Sequence, residues 1–320
     1  MALVTHRSVH ANGIDIHLAE AGSGPAVLLL HGFPELWYSW RHQVGALADA
    51  GYRAVAPDLR GYGRTSAPPA VEDYAMINMV ADVAGVLDWL GEDRAVVVGH
   101  DWGANIAWAC AQLDPDRVAA VVALSVPFQP RPPEPPVPLL RRMTATRFNW
   151  ALYFQEPGVA EAELEQDVTR TLRLMFYALS GDAPQDLAPR LLGGLPAGSR
   201  LLDPIPEPGL LPGWLTADDL GYYAAEFGRT GFTGALNRYR NLDRDWADLG
   251  RLGAATIAQP ALFVGGGRDT ATQLVPHQPM EQAVTDLRRV VIPGCGHWIQ
   301  QEQPGVVNDE LITFLRQHAR

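Results

Sequence analysis

Between Arg94 and Asn105 an apolar run, Ala95 to Val98, passes straight into Gly-His-Asp-Trp-Gly, with Gly99 and Gly103 flanking Asp101 one residue away on each side. A strand that turns into a helix this sharply needs small neighbours, and it presents the middle residue above the edge of a sheet. Here that residue is an aspartate rather than a serine or cysteine. At a helix N-terminus its carboxylate is favoured as the anion. A plain helix cap is the alternative role; the two glycines and the upstream strand favour a nucleophile.

The surrounding chain is built from similar units. Val4 to His10 and Ile14 to Leu18 flank Asn12-Gly13, a pair suited to a tight hairpin turn. Ala26 to Leu30, Ala54 to Ala56 and Val118 to Val126 are short apolar runs without polar alternation. Such runs predict strands buried on both faces, as in a parallel sheet. Tyr74 to Leu90 places Met76, Val80, Val83, Leu87 and Leu90 at helical spacing. Strand alternating with helix predicts an α/β fold.

The alternation breaks at Pro127. Seven of the twelve residues from Pro127 to Pro138 are proline, which excludes regular helix or central strand and reads as a stiff linker. Helical sequence follows. Leu164, Val168, Leu172, Met175 and Leu179 read as one packing stripe, and Thr216 with Asp219 as a capping box. Strand-like sequence returns at Ala261 to Val264 and Arg289 to Ile292, and a last helix begins near Val306. The expected organisation is a core of residues 1–126 and 248–320, interrupted by a helical insertion, 127–247.

Composition narrows the function. Acidic side chains outnumber basic ones 36 to 25, a net charge of −11. Such a chain is a poor partner for nucleic acid or an anionic membrane. There is no lysine, which excludes Schiff-base chemistry and a Walker-type phosphate loop. Two cysteines, Cys110 and Cys295, cannot make a structural zinc site by themselves and fit a reducing compartment. Met1 to Glu20 has no signal-type apolar core, and the longest apolar run, Val118 to Leu124, is far too short to span a bilayer. A soluble cytoplasmic protein is expected.

An aspartate at such a turn calls for an acid and a histidine later in the chain. Asp269 follows the run Ala261 to Val264 through Gly265-Gly266-Gly267-Arg268. Its rivals are Asp245 and Asp286. His297 lies in Gly-Cys-Gly-His-Trp, just after the run ending at Ile292. His31-Gly32-Phe33-Pro34 follows Ala26 to Leu30, where a loop amide, that of Phe33, complements the Trp102 amide in an oxyanion hole. His6, His10, His17, His42, His277 and His318 show no metal-ligand spacing.

Together, His31-Gly-Phe-Pro-Glu35, Arg60-Gly-Tyr-Gly63, Gly99-His-Asp-Trp-Gly103, Tyr153-Phe-Gln-Glu-Pro-Gly158, Asn237-Arg-Tyr-Arg-Asn241 and Gly296-His-Trp298 resemble the α/β-hydrolase-fold epoxide hydrolases of the soluble bacterial and mammalian type. The resemblance covers almost the whole chain. It implies an α/β-hydrolase fold: a mostly parallel central sheet flanked by helices, with an inserted helical cap, or lid. It also implies that Asp101 is the nucleophile, Asp269 and His297 the charge-relay pair, and Phe33 and Trp102 the oxyanion donors. Tyr239 resembles one of two lid tyrosines that hydrogen-bond the epoxide oxygen. The other tyrosine position holds Trp150, whose indole N–H donates but does not give up its proton. Tyr153, His31 and Pro34 are expected as pocket neighbours.

The expected activity is conversion of a small-molecule epoxide and water to a vicinal diol through an ester on Asp101, without cofactor or metal. Neither nucleic acid nor membrane is expected as a partner, and a homodimer is the candidate assembly. Two other readings stand beside it. A haloalkane dehalogenase would use the same aspartate, with Trp102 and Trp150 holding the halide. An inactive hydrolase fold would serve only as a binding module.

Overall fold

The apolar runs become the strands of one sheet. They are β1 (Thr5–Ala11), β2 (Ile14–Ala21), β3 (Ala26–Leu30), β4 (Arg53–Pro57), β5 (Ala95–His100), β6 (Val118–Leu124), β7 (Ala261–Gly266) and β8 (Leu287–Ile292). Their order is β1-β2-β4-β3-β5-β6-β7-β8. β1 and β2 form the expected hairpin, and Asn12 and Gly13 both take positive φ in its turn. β2 pairs antiparallel with β4; from β4 to β8 every pairing is parallel. The computed structural model describes residues 3–187, 190–250 and 256–319. The expected core and insertion segments also take in 1–2, 188–189, 251–255 and 320, which lie outside the described residues.

The unbroken apolarity of the central strands has a direct cause. In β3, Leu28 and Leu30 pack into one buried cluster while Val27 and Leu29 pack into another. Side chains alternate across a strand, so both sheet faces are covered and neither tolerates a polar residue. Each such aliphatic side chain contributes about 1.5–3 kcal/mol of burial. One face is covered by α2 (Met76–Leu90) and α3 (Trp102–Leu113); α1 (Arg41–Asp49) and the final helix Pro304–His318 pack on the other.

Between β6 and β7 the regular elements are helical. They include α4 (Pro136–Met143), α5 (Trp150–Tyr153), α6 (Val159–Leu164), α7 (Val168–Ala178), α8 (Ala217–Thr230), α9 (Thr233–Arg240) and α10 (Leu242–Leu249). Of these, α5 to α9 share a third hydrophobic cluster, which reaches the core at Phe33, Tyr62 and Trp298.

Three expectations need correction. The proline-rich run does not exclude helix throughout: α4 starts at Pro136, in the first turn, where proline's missing N–H costs nothing. The stripe from Leu164 to Leu179 is not one helix. Asp167 caps α7 by accepting from the Arg170 amide, so Leu164 belongs to α6. β6 ends at Leu124, because Ser125 turns to φ 72°. The Thr216–Asp219 capping box forms as expected, with both reciprocal bonds present. Among the described residues no helix is long and apolar enough to cross a membrane.

Candidate active site

Asp101 sits at the end of β5 and the start of α3 with φ 53° and ψ −118°. The two glycines are required by close approach. A Cβ on Gly99 would lie 2.0 Å from the Gly103 carbonyl oxygen, and one on Gly103 would lie 2.0 Å from that of Leu30. Strain of this kind persists only where surrounding structure enforces it. The loop after β3 closes on the same carboxylate. Gly32 leaves no room for a side chain beside Asp101, and the Phe33 amide donates to Asp101 Oδ1 at 2.9 Å. The Trp102 amide opens α3 and has no acceptor within the helix.

His297 Nε2 lies 3.7 Å from Asp101 Oδ2. On its other side, His297 Nδ1 is 3.1 Å from Asp269 Oδ1. Asp269 is buried at the end of β7, where its Oδ2 accepts from Ser125 Oγ at 2.6 Å and Thr272 Oγ1 at 2.8 Å, and its Oδ1 accepts from the Ala271 amide. Neither rival acid reaches the histidine: Asp245 is bound to the Met76 amide and ion-paired with Arg238, and Asp286 precedes β8. Burial alone would lower the His297 pKa. The charge and hydrogen bond of Asp269, then the charge of Asp101, overcome it and raise the value to about 9. Burial opposes ionisation of Asp269 as well, yet its bonds to His297, Ser125 and Thr272 hold it below the usual carboxylate range.

The helical insertion closes over this group. A cavity of about 130 Å³ is lined from the core by Phe33, Asp101, Asp269, Thr270, Ala271 and His297. The rest of its wall comes from Trp150, Phe154, Met175, Ala178, Leu179, Leu191, Leu201, Ile205 and Tyr239. Tyr239 is buried, with ring centroids 5.1 Å from Trp150 and 5.0 Å from Trp102. Burial, then the Asp101 charge, push its phenol well above the ordinary value. It therefore keeps its proton as a hydrogen-bond donor. The two cap motifs hold each other. Gln155 donates to the Tyr239 carbonyl at 2.9 Å, and Arg240 reaches the Phe154 carbonyl at 3.0 Å and Glu161 at 2.8 Å. His297 is tied to the cap as well, its amide donating to the Leu179 carbonyl.

Several expected pocket residues lie elsewhere. Tyr153 does not line this cavity: its hydroxyl donates to Glu163 at 2.7 Å and it borders a separate surface depression with Arg147 and Arg200. His31 is a fully buried strut whose Nε2 accepts from the Leu59 amide. Pro34 is buried behind Phe33 and is not part of the wall. The Trp102 indole packs edge-on against Tyr239 and beneath the Arg238 guanidinium at 4.7 Å, and it borders a different cavity.

Four contributors were not anticipated from the sequence. Ser125 and Thr272 clamp Asp269. Glu35 and His100 form a buried pair, 2.5 Å apart, beneath the elbow; Glu35 also accepts from the Gly32 amide, and His100 Nε2 meets the His297 carbonyl at 2.7 Å. Burial would raise Glu35, but the His100 charge brings it down to about 2. Ser125 carries a legible signal, being the polar residue that closes an apolar strand on the edge where such sheets place their sites.

Residues 25–304 match the family model of the alpha/beta hydrolase fold. The chain is 47% identical over 318 residues to Epoxide hydrolase A of Mycobacterium tuberculosis, covering 98% of each. It is 41% identical over 309 residues to Bifunctional epoxide hydrolase 2 of Sus scrofa, covering 96% of this chain and 54% of that one. Among solved structures it is similar to epoxide hydrolase A from Mycobacterium thermoresistibile, with TM-score 0.93, 48% identity and 98% of both chains covered. An epoxide hydrolase from an endophytic Streptomyces gives TM-score 0.94 and 47% identity over 98% of this chain and 95% of the other.

Proposed function

Because this chain belongs to the epoxide hydrolases of the α/β-hydrolase fold, we propose that it opens a compact, apolar epoxide to a vicinal diol through an ester on Asp101. The observation that carries this reading is Tyr239 and Asp101 facing one apolar cavity. Opening an epoxide leaves an alkoxide, a poor leaving group that needs a proton donor. A carboxylate supplies the nucleophile, and a phenol held protonated supplies the proton.

Asp101 Oδ1 is engaged by the Phe33 amide, so Oδ2 is the free oxygen. Oδ2 attacks a ring carbon as the ring C–O bond breaks, and the departing oxygen takes the Tyr239 proton. Trp150 lends a second N–H to that oxygen without transferring its proton. Esterification discharges Asp101, which removes one of the causes that hold a proton on His297. The His297 proton passes by way of solvent to the Tyr239 phenolate, which restores the phenol; His297, now neutral, takes a proton from water, and the hydroxide adds to the Asp101 carbonyl carbon. Negative charge develops on Oδ1, where the Phe33 and Trp102 amides receive it. Collapse of this intermediate breaks the bond from the Asp101 carboxyl carbon to Oδ2, the departing alkoxide takes the proton of the newly added hydroxyl, and the diol leaves with the carboxylate restored. In this reading residues 127–247 act as the cap and 1–126 with 248–320 as the catalytic core. The free, buried Cys110 and Cys295 support a cytoplasmic location.

Halide displacement is disfavoured by Tyr239, a proton donor that faces the cavity of Asp101 and that a halide leaving group does not need. Asp101→Ala tests the covalent route. Styrene oxide should give phenylethanediol with the wild-type enzyme and none with the variant. More than trace diol from a folded variant overturns the route.

A further inference from the structure

Glu163 lies outside the catalytic group, yet its buried carboxylate collects three donors. Oε2 accepts from the Tyr153 hydroxyl at 2.7 Å and from the Leu201 amide at 3.1 Å; Oε1 accepts from the Leu202 amide at 2.9 Å. Arg200 Nε stands 3.6 Å away at the solvent side. The amides matter because of what they belong to. Residues 195–205 contain no helix or strand, and their only regular pairing is an isolated bridge, Pro196 to Arg147. Leu201 and Ile205 from this segment form part of the cavity wall facing Asp101.

A segment without its own hydrogen-bond ladder keeps one shape only if something outside it satisfies its amides. Two tethers do so. At one end the Phe148 amide donates to the Leu195 carbonyl and the Ala197 amide to the Thr146 carbonyl, two to four residues before Trp150. At the other end the Glu163 carboxylate takes two successive amides, and charge-assisted bonds of this kind are the stronger class. Tyr153 steadies the same carboxylate, which accounts for a tyrosine here that does not reach the substrate cavity.

Resting on the epoxide-hydrolase reading, we propose that Glu163 is a positioning residue that holds the 195–205 segment so that Leu201 and Ile205 set the width of the substrate cavity. It does not touch substrate. It determines which epoxides fit, by fixing a wall that would otherwise have alternative shapes. The ligand class it selects for is a slim, uncharged epoxide, since the wall it holds is aliphatic.

The test compares wild type with Glu163→Gln and the milder Tyr153→Phe. A glutamine has one acceptor and turns an N–H₂ toward the amides, so at least one bond is lost. Two readouts are taken: amide hydrogen exchange at Leu201 and Leu202 with no substrate present, and kcat and KM for 1,2-epoxybutane and styrene oxide. For Glu163→Gln, exchange at the two amides should rise by about tenfold or more, as for loss of one charged hydrogen bond. KM should rise more than kcat falls, and the preference between the two epoxides should change. Tyr153→Phe should shift both readouts the same way by less, and it decides the matter if Glu163→Gln does not fold. Unchanged exchange, or loosened exchange with an unchanged epoxide preference, overturns the proposal. The exchange readout needs no turnover: wild type inert toward both epoxides would overturn the functional reading, and the selectivity claim with it, whatever exchange shows.

Discussion

At Asp101 the two carboxylate oxygens meet different surroundings, and this divides the labour. Oδ1 is held by the Phe33 amide, while Oδ2 is open to the cavity and 3.7 Å from His297 Nε2. Opposite them stand an acid and a donor of unequal ability. In the mechanism we propose, Tyr239 transfers a proton to the leaving oxygen and Trp150 only donates a hydrogen bond. Tyr239→Phe should therefore slow single-turnover alkylation by roughly 10²–10⁴, the size of a general-acid contribution. Trp150→Phe should cost less, and Trp150→Tyr should preserve or raise the rate. A Tyr239→Phe enzyme within about threefold of wild type, below that range, would contradict the assignment. His297 makes a pH prediction whose sign follows from its role. It is raised to about 9, and in the proposed mechanism it must be neutral to activate water. Alkylation of Asp101 removes a supporting negative charge, so the value in the ester state lies lower. Ester decay should rise with pH and level off below about 9; decay independent of pH between about 5.5 and 9 would refute His297 as the base.

The elements of the cap owe their arrangement to contacts between distant motifs. Arg240 at the end of α9 is buried against Glu161 of α6 and the Phe154 carbonyl, and Gln155 reaches the Tyr239 carbonyl. These bonds set α5, which carries Trp150, against α9, which carries Tyr239. Arg240→Leu leaves Glu161 buried without its partner and should cost about 3–5 kcal/mol, read as a lower urea midpoint. A loss under about 1 kcal/mol would mean the pair is dispensable. The elbow, the hairpin and the Thr216 capping box were legible from short-range spacing, because each is decided by residues within a few positions. The orientation of Tyr153 was not. It lies three residues from Trp150 on one helical turn, so spacing alone puts both toward one cavity. Its actual direction is set by Glu163, ten residues on, a partner that no local pattern names.

Across the whole molecule, the cavity over Asp101 is a seam between sheet and cap, and its dimensions come from both. At about 130 Å³ it is smaller than the roughly 300–1,000 Å³ typical of pockets for drug-sized ligands, and its cap-side wall is largely aliphatic and aromatic. Compact apolar epoxides should be turned over, while an epoxide bearing a carboxylate should show kcat/KM lower by at least about 10² for want of a partner for the buried charge. Equal kcat/KM for the two would contradict the cavity argument. The parallel sheet was legible because strands buried on both faces leave continuous apolar runs, as in β3 and β6. The cavity wall was not, since Met175, Leu191, Leu201 and Ile205 look like any packing residue until the chain folds back over Asp101. Whether Asp101 carries the ester is read from peptide mass spectrometry of His297→Gln after incubation with styrene oxide. The peptide containing Asp101 should accumulate the mass of the intact epoxide, because alkylation proceeds and hydrolysis stalls. An unmodified Asp101 peptide, or the added mass on another residue, would contradict it.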